Sequence, residues 1–201
     1  MNHKAAPIPV LECLRAATRE SHRALEQLTP FFTPSFDRPA YLRWLDLMHG
    51  FYGRVDAAVA ASGFCADTGW QYVPRTRLIA NDLHALAGRE PAPPGDPSGL
   101  LGRITALRTP GEIAGLLYVV EGSTLGGAVI LASLARLQGV TAGAGGTTFA
   151  PHGANPRARW DEYVQLLSRL SDEPGMQEDA AASAETAFLV LRDWVTHFWQ
   201  G

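Results

Sequence analysis

The sequence predicts a single all-α domain, a helical bundle of about six main helices. Three observations lead to this prediction: apolar residues recur at helical spacing in long segments, strand patterns do not alternate with helices, and there is no internal repeat. With 201 residues the chain is long enough for one domain with a sizeable core, and too short for two comfortable ones. We expect a loose tail over residues 1–10 and the helical domain over residues 11–201.

The helices are predicted from apolar spacing and end signals. The first runs from Leu11 to Leu28, and the second follows the N-cap Asp37 and ends near Ser62. Thr109-Pro110-Gly111-Glu112 has the composition of a helix opening. The other main helices are expected over residues 74–87, 110–138, 156–170 and 177–199. Between them, residues 89–99 form a proline-rich surface loop and residues 139–150 a flexible glycine-rich connector.

Composition excludes several function classes. The chain is 46% hydrophobic and 18% charged, which is ordinary for a soluble protein. Its net charge of −3 provides no basic field for nucleic acid or anionic membrane. Cys13 and Cys65 lie far apart and form no metal-binding pair. Because the N-terminus does not read as a secretory leader, we expect reduced thiols and a cytoplasmic location.

The segment from Ile113 to Leu137 is apolar enough to resemble a membrane span, but Glu121 and Arg136 interrupt it. A carboxylate near the centre of a bilayer helix costs about 2.5 kcal/mol or more. We therefore interpret this segment as a core helix, and expect no membrane contact.

This core helix contains an unusual number of glycines: Gly115, Gly122, Gly126 and Gly127. An interior glycine costs a helix roughly 1 kcal/mol relative to alanine, so four cost about 3–4 kcal/mol, out of a total domain stability of about 5–15 kcal/mol. At helical spacing they fall on two neighbouring rows, which leaves a strip nearly free of side chains.

The bare strip has three interpretations. The simplest is close packing against another helix through Gly122-x-x-x-Gly126. A phosphate-binding loop is disfavoured, because no strand precedes the glycines and no Gly-Lys-Ser/Thr follows them. The third is a flat, bulky ligand that a Cβ atom would strike.

A flat ligand such as a macrocycle needs a partner on its other side, and the six histidines are the natural candidates: His3, His22, His49, His84, His152 and His197. His22 borders the apolar stripe of the first helix, one position off it. Alone, a histidine at such a boundary is usually structural. Together with a glycine-stripped helix it becomes a candidate axial ligand to iron.

Two motifs resemble the heme oxygenase family, in particular its bacterial, bacteriophytochrome-associated type. L-R-A-A-T-R-E-S-H-R-A-L-E is similar to the family's proximal helix, with its ligating histidine at His22. L-Y-V-V-E-G-S-T-L-G-G-A-V-I is similar to its glycine-rich distal helix. A later segment, T-F-A-P-H-G followed by Trp160, resembles the family more weakly. The resemblance extends from about Leu11 to Trp199.

The resemblance implies an oxidoreductase for which heme is both cofactor and substrate. In this family an imidazole binds the heme iron on one face and dioxygen binds on the other, and ordered water delivers protons. The ring is opened at a meso carbon to give biliverdin, carbon monoxide and ferrous iron. The reaction would either supply the bilin chromophore of a bacteriophytochrome or release iron from heme. The type of match favours chromophore supply. Electrons would come from a soluble donor, a ferredoxin or a reductase.

By the same resemblance His22 is the metal ligand, and Gly122, Gly126 and Gly127 form the distal wall beside Ser123. The resemblance also suggests propionate or pocket contacts for Arg15, Tyr118, Arg157 and Arg159. For Arg15 an ordinary exposed helix position is an equal alternative. The sequence departs from animal members at Ser123, where they carry an aspartate, and at Ala128, where they carry a glutamine.

Two other function classes stay open at the level of sequence. One is a heme-binding module for storage or sensing, which would keep His22 but not turn over, and the serine at Ser123 leaves this possibility. The other is a helical interaction domain without a cofactor, in which the glycine row is a packing seam.

Overall fold

The computed structural model describes residues 9–28, 31–33, 35–153 and 155–199. Over these ranges the chain forms eight α-helices, a 3₁₀ turn at Thr147–Phe149 and no β-strand, which confirms the all-α prediction. The helices are α1 (Pro9–Leu28), α2 (Arg38–Ser62), α3 (Phe64–Thr68), α4 (Arg75–Ala87), α5 (Gly102–Thr105), α6 (Pro110–Gln138), α7 (Pro156–Leu170) and α8 (Met176–Trp199).

The predicted helix starts are confirmed by their caps. The Asp37 carboxylate accepts a hydrogen bond from the Ala40 backbone N–H at 2.9 Å, as expected of an N-cap. Thr109 and Glu112 form a reciprocal capping box at the start of α6. The short helices α3 and α5 were not predicted, since neither is long enough to show a periodic pattern.

The predicted N-terminal tail is wrong at its last two residues. Helix α1 begins at Pro9, and Val10 is fully buried in the core. Proline is well tolerated in the first turn of a helix, where its missing N–H removes no internal hydrogen bond. The rest of the predicted tail, residues 1–8, lies outside the described residues.

The bundle is organised around α8, which packs along both α1 and α6. On the other side of the core, α2 packs on α4 and contacts α6. Helix α7 packs on α6. Trp194 in α8 is buried, and its indole N–H donates to the Leu47 carbonyl of α2 at 2.9 Å, which joins these two parts of the core.

Helix α6 alone among the described helices is long and apolar enough to cross a bilayer by length and composition. More than half of its most apolar window is buried inside the domain. Its apolar surface is therefore largely used in folding, as predicted for the core helix of a soluble protein.

The glycine-rich connector after α6 is packed against the domain, so the prediction of a flexible segment is wrong. The buried Asp82 carboxylate of α4 accepts hydrogen bonds from the backbone N–H and the hydroxyl of both Thr147 and Thr148, at 2.7–2.9 Å. The Tyr41 hydroxyl donates to the Gly145 carbonyl at 2.8 Å. These partners come from distant helices, so no local pattern reveals them.

Candidate functional site

The candidate site begins with three helices that run in the same direction. Two contacts set the register of α1 on α8. Cys13 Sγ of α1 is 3.6 Å from Gln177 Oε1 of α8, and nine residues further along α1 the His22 ring packs against Phe188 of α8. Along α6 and α8, Gly115 lies against Ala180. Because helices rise equally per residue, this register brings Gly122 to about the level of Phe188. His22 on α1 and the glycine segment of α6 therefore lie at about the same height along α8, and both helices pack against α8.

His22 lies on the exposed side of α1, with 54% of its side chain accessible. Its ring packs edge-on against Phe188, with 5.4 Å between ring centroids. Its Nδ1 atom faces the Glu26 carboxylate one turn later, at 3.6 Å. An imidazole oriented by a carboxylate at Nδ1 presents Nε2 as the ligating nitrogen.

The glycines of α6 do not form one continuous bare strip. A Cβ at Gly115 would lie closer than 3.0 Å to the Ala180 carbonyl and the Ser183 hydroxyl of α8. At Gly127 it would lie closer than 3.0 Å to the Phe149 carbonyl. These two glycines are accounted for by close packing, whereas the sequence interpretation had placed such packing at Gly122 and Gly126. Gly127 was predicted to be part of a ligand wall. In the structure, the 3₁₀ turn leaves no room for a side chain at this position.

Gly122 and Gly126 have more space. A Cβ at Gly122 would be 3.4 Å from the Trp160 ring, and at Gly126 it would meet no atom within 4 Å among the described residues. Two large apolar side chains beside Gly126 are exposed, Leu125 at 39% and Val129 at 63%. We call Leu125, Gly126 and Val129 the open face of α6. The two side chains lie one turn apart and so expose apolar surface on the same side of the helix.

Ser123 borders the open face and is exposed. Its hydroxyl donates to the Val120 carbonyl at 2.7 Å. Burial raises the pKa of Tyr52 in α2, while the charge of Arg75 and a hydrogen bond with Ser123 lower it. Tyr52 is thus a neighbour of Ser123, on the core side of α6.

A charged cluster lies behind this pair. Glu121 is fully buried, and its Oε2 atom is 2.9 Å from His152 Nε2 and 3.4 Å from Arg75 Nη2. We call Arg75, Glu121 and His152 the Glu121 cluster. It joins three separate elements: α4, α6 and the loop that follows the 3₁₀ turn. The carboxylate that interrupts the apolar sequence is thus paired in the core.

The predicted cation and pocket residues have different surroundings. Arg15 is exposed on α1, seven residues before His22 and so on nearly the same side of the helix. Arg157 is exposed and pairs with Asp161 one turn later at 3.0 Å. The Tyr118 ring packs against Trp160 of α7, with 5.6 Å between centroids.

Arg159 is committed to structural contacts. Its guanidinium carbon lies 3.5 Å from the centre of the Trp70 ring, a cation–π geometry, and it pairs with Glu162 at 3.1 Å. It also donates to the Gln71 carbonyl. The prediction that Arg159 holds a ligand carboxylate is not supported by these contacts.

Sequence reasoning missed Tyr52 and Arg75, which lie in different helices from Ser123 and Glu121. One signal was available: a carboxylate in the middle of an apolar helix needs a buried partner. The identity of that partner was not deducible, because Arg75 is separated from Glu121 by 46 residues and His152 by 31.

The side chains available as metal ligands limit the kind of cofactor that this site can bind. The described residues contain no group of three or more His, Cys, Asp or Glu side chains placed to bind a bare metal ion. A single exposed imidazole, at the level of an apolar helix that contains glycines, instead suits a metal that arrives within its own macrocycle. The arrangement offers one exposed imidazole, an apolar helix surface and the Ser123 hydroxyl beside it.

Comparison with known proteins agrees with this geometry. The family model described as heme oxygenase matches residues 9–197. No curated protein matches the chain.

The similar solved structures include three heme oxygenases. The NO- and CO-bound heme oxygenase of Neisseria meningitidis is 21% identical, with a TM-score of 0.75 over 96% of this chain and 92% of that one. The heme oxygenase of Leptospira interrogans is 18% identical, with a TM-score of 0.78 over 94% and 100%. Heme oxygenase-1 of Synechocystis, in complex with heme, is 16% identical, with a TM-score of 0.77 over 96% and 93%. At these identities the likeness establishes the fold.

Proposed function

The chain belongs to the heme oxygenase family, a family of heme-degrading oxidoreductases, and we propose that it cleaves heme to biliverdin, carbon monoxide and ferrous iron with His22 as the axial ligand. This proposal is supported mainly by one observation. His22 and the glycine segment lie at about the same height along α8, on the two helices that pack against it. When bound, heme supplies both the iron at which dioxygen is activated and the macrocycle that is cleaved.

The residues present fit a heme. Gly126 leaves space where any other residue would place a Cβ, and Leu125 and Val129 offer apolar surface to a ring. His22 is exposed and its Nδ1 faces Glu26, so the nitrogen directed to iron is Nε2. A carboxylate near Nδ1 favours the proton on that nitrogen and leaves Nε2 free to bind a metal.

The open face of α6 would exclude side chains from the oxygen-binding side of the ring. Ser123 is the hydroxyl nearest that face and is assigned the task of holding water and placing a proton, in the position where animal members carry aspartate. The hydroxyl is held by its 2.7 Å hydrogen bond to the Val120 carbonyl. A serine so held has a defined orientation without a negative charge of its own.

Arg15 is the propionate partner that the surroundings support best, since it is exposed on nearly the same side of α1 as His22. Arg157 is a secondary candidate, because its pair with Asp161 is exposed and weak. A charge-assisted bond to a propionate would orient the ring and so select the carbon that faces oxygen.

The wider role is proposed from the motif resemblance. We assign the biliverdin product to a bacteriophytochrome chromophore and the electrons to a soluble ferredoxin or reductase. A cytoplasmic location agrees with Cys13 and Cys65 being free thiols. Coexpression with a bacteriophytochrome apoprotein tests the first assignment: a photoactive holoprotein supports it, and colourless apoprotein despite active heme cleavage contradicts it.

The test of the reaction itself is an absorbance titration of the purified chain with hemin, followed by a reductant in air. One Soret band per chain, then its decay and a broad red biliverdin band, is the expected result. A Soret band that persists unchanged would identify a storage or sensing module. The absence of a Soret band would show that the glycines serve helix packing alone.

A further inference from the structure

The glycine-rich connector, residues 139–150, runs back along α6 after that helix ends. A Cβ at Gly146 would lie closer than 3.0 Å to the Cδ1 atom of Leu131. A Cβ at Gly127 would lie closer than 3.0 Å to the Phe149 carbonyl oxygen. Later positions of the connector thus meet earlier positions of α6, and at Gly127 the connector lies directly against the backbone of the helix.

The connector lies behind the open face of α6. An α-helix turns about 100° per residue, so Gly127 lies about 200° around the axis from Leu125. Leu131 has the same relation to Val129. Gly127 is buried, whereas Leu125 and Val129 are exposed. Helix α6 is therefore placed between the connector on one side and the proposed heme position on the other.

One buried carboxylate fastens the connector to α4. Asp82 is 1% exposed. It accepts hydrogen bonds from the backbone N–H and the hydroxyl of Thr147 at 2.9 and 2.7 Å, and from those of Thr148 at 2.8 and 2.7 Å. The next residue is Phe149, whose carbonyl lies against Gly127. The anchor is thus one residue away from the contact with α6.

The Asp82 anchor holds the turn in one geometry. No Lys, Arg or His side chain forms an ion pair with this carboxylate among the described residues. A buried charge without an opposite charge is costly unless hydrogen bonds compensate it, so all four donors are needed. Because helices bend easily at small residues such as the pair at 126–127, the position of α6 here depends on what supports it from behind.

We infer that Asp82 is a positioning residue: by holding Thr147 and Thr148 it fixes how far the open face of α6 projects towards the bound heme, and so helps to select the meso carbon that is cleaved. The second half of this inference rests on the proposed function. Asp82 acts on the site through the Phe149 carbonyl and Gly127.

Three variants test the anchor. Asp82→Asn keeps the size of the side chain, but its amide NH2 group accepts no hydrogen bond, so some of the four donors lose their acceptor. The double variant Thr147→Val with Thr148→Val removes both hydroxyl donors and keeps the carboxylate with its two backbone hydrogen bonds. Thr147→Ser with Thr148→Ser keeps all four donors and should behave as the wild type.

Asp46→Asn is the matched control. The Asp46 carboxylate of α2 also joins a loop to a helix, since it accepts hydrogen bonds from the Ala92 backbone N–H at 2.8 Å and from Arg89 Nη2 at 2.6 Å. Its substitution removes hydrogen bonds of the same kind, and neither of these partners belongs to the connector or to α6.

The first measurement is amide hydrogen exchange of the heme-free protein, followed by mass spectrometry. In Asp82→Asn and in the valine variant, exchange should become at least about fivefold faster in the connector and in α6 around Gly127, because the loss of one hydrogen bond corresponds to about that factor. The α1–α8 pair and the control Asp46→Asn should show no such increase. A uniform increase over all helices, or none in α6, overturns the inference.

The second measurement separates the biliverdin isomers formed from hemin by chromatography. Isomer proportions do not depend on the fraction of protein that is folded, so a loss of stability alone leaves them unchanged. We expect the proportions to change in Asp82→Asn and in the valine variant, and to match the wild type in the serine variant and in Asp46→Asn. Wild-type proportions in both of the first two variants contradict a positioning role.

The valine variant decides the question if Asp82→Asn does not fold, because it keeps the buried carboxylate and half of its hydrogen bonds. Failure of the wild type to cleave hemin contradicts the proposed function. The exchange measurement on the heme-free protein still decides whether Asp82 positions α6.

Discussion

At the scale of single residues, His22 carries the assignment of the site, because it is the one side chain proposed to bond to iron. His22→Ala removes the axial nitrogen and leaves the Phe188 edge uncovered. We expect hemin to lose its axial ligand and turnover to be abolished, with the helix intact because alanine favours helix. The optical and electron paramagnetic spectra of the hemin complex check this.

Two controls make the His22 result specific. His84→Ala changes an exposed helical histidine of α4 and should leave the spectra unchanged. Added imidazole should restore ligation in His22→Ala, since it replaces the missing nitrogen. A wild-type spectrum in His22→Ala without imidazole would show that another residue is the ligand.

At the scale of the element, α6 combines glycines with two different purposes, and neighbouring substitutions separate them. Gly126→Ala adds a methyl group into open space and removes a glycine from a helix. We expect the heme-free protein to gain about 0.5–1 kcal/mol in free energy of unfolding, while heme turnover slows. Chemical denaturation and biliverdin formation measure the two effects.

Gly127→Ala is the matched contrast, one residue along the same helix. Its methyl group would overlap the Phe149 carbonyl, so we expect a loss of about 1–3 kcal/mol in free energy of unfolding. A bulkier Gly126→Phe should block turnover more than it weakens hemin binding. Equal turnover in Gly126→Phe would contradict the open face as the oxygen-binding side.

The start of α6 gives a pH-dependent prediction. Backbone hydrogen bonds from Arg108 and Thr109 lower the pKa of Glu112. A carboxyl whose pKa is depressed in the folded state stabilises above its unfolded pKa, and this stabilisation is lost as pH falls through the folded value. Glu112→Ala should therefore lower the free energy of unfolding by about 1 kcal/mol at pH 7, and by progressively less as the pH falls through the lowered pKa of Glu112. Glu178→Ala, an acidic residue in the first turn of α8, is the comparison.

At the scale of the whole molecule, bound heme would bridge α1 and α6, which otherwise meet mainly through α8. A ligand that binds only the folded state stabilises it by about 2.7 kcal/mol at a concentration 100 times its Kd. We expect hemin to raise the melting temperature and to slow amide exchange in the second half of α1. Unchanged exchange there, with hemin bound, would place the heme elsewhere.

Much of this protein is determined by its sequence alone. The main helices were predicted to within one or two residues, because apolar periodicity and the caps at Asp37 and Thr109 act over one or two turns of chain. His22 and the glycine helix were also singled out from sequence as candidate site elements, since each motif is contiguous, and their roles stay predictions.

Tertiary structure decided what no local pattern contains. The fold separates the glycines into two kinds. Gly115 and Gly127 lie against the backbone of neighbouring segments, whereas a Cβ at Gly126 would meet no atom within 4 Å among the described residues. It also assembled the Glu121 cluster from three elements and committed Arg159 to Trp70. The physical reason is that capping and periodicity are set by covalent neighbours, whereas steric overlap and charge pairing depend on groups that only the folded chain brings within a few ångströms.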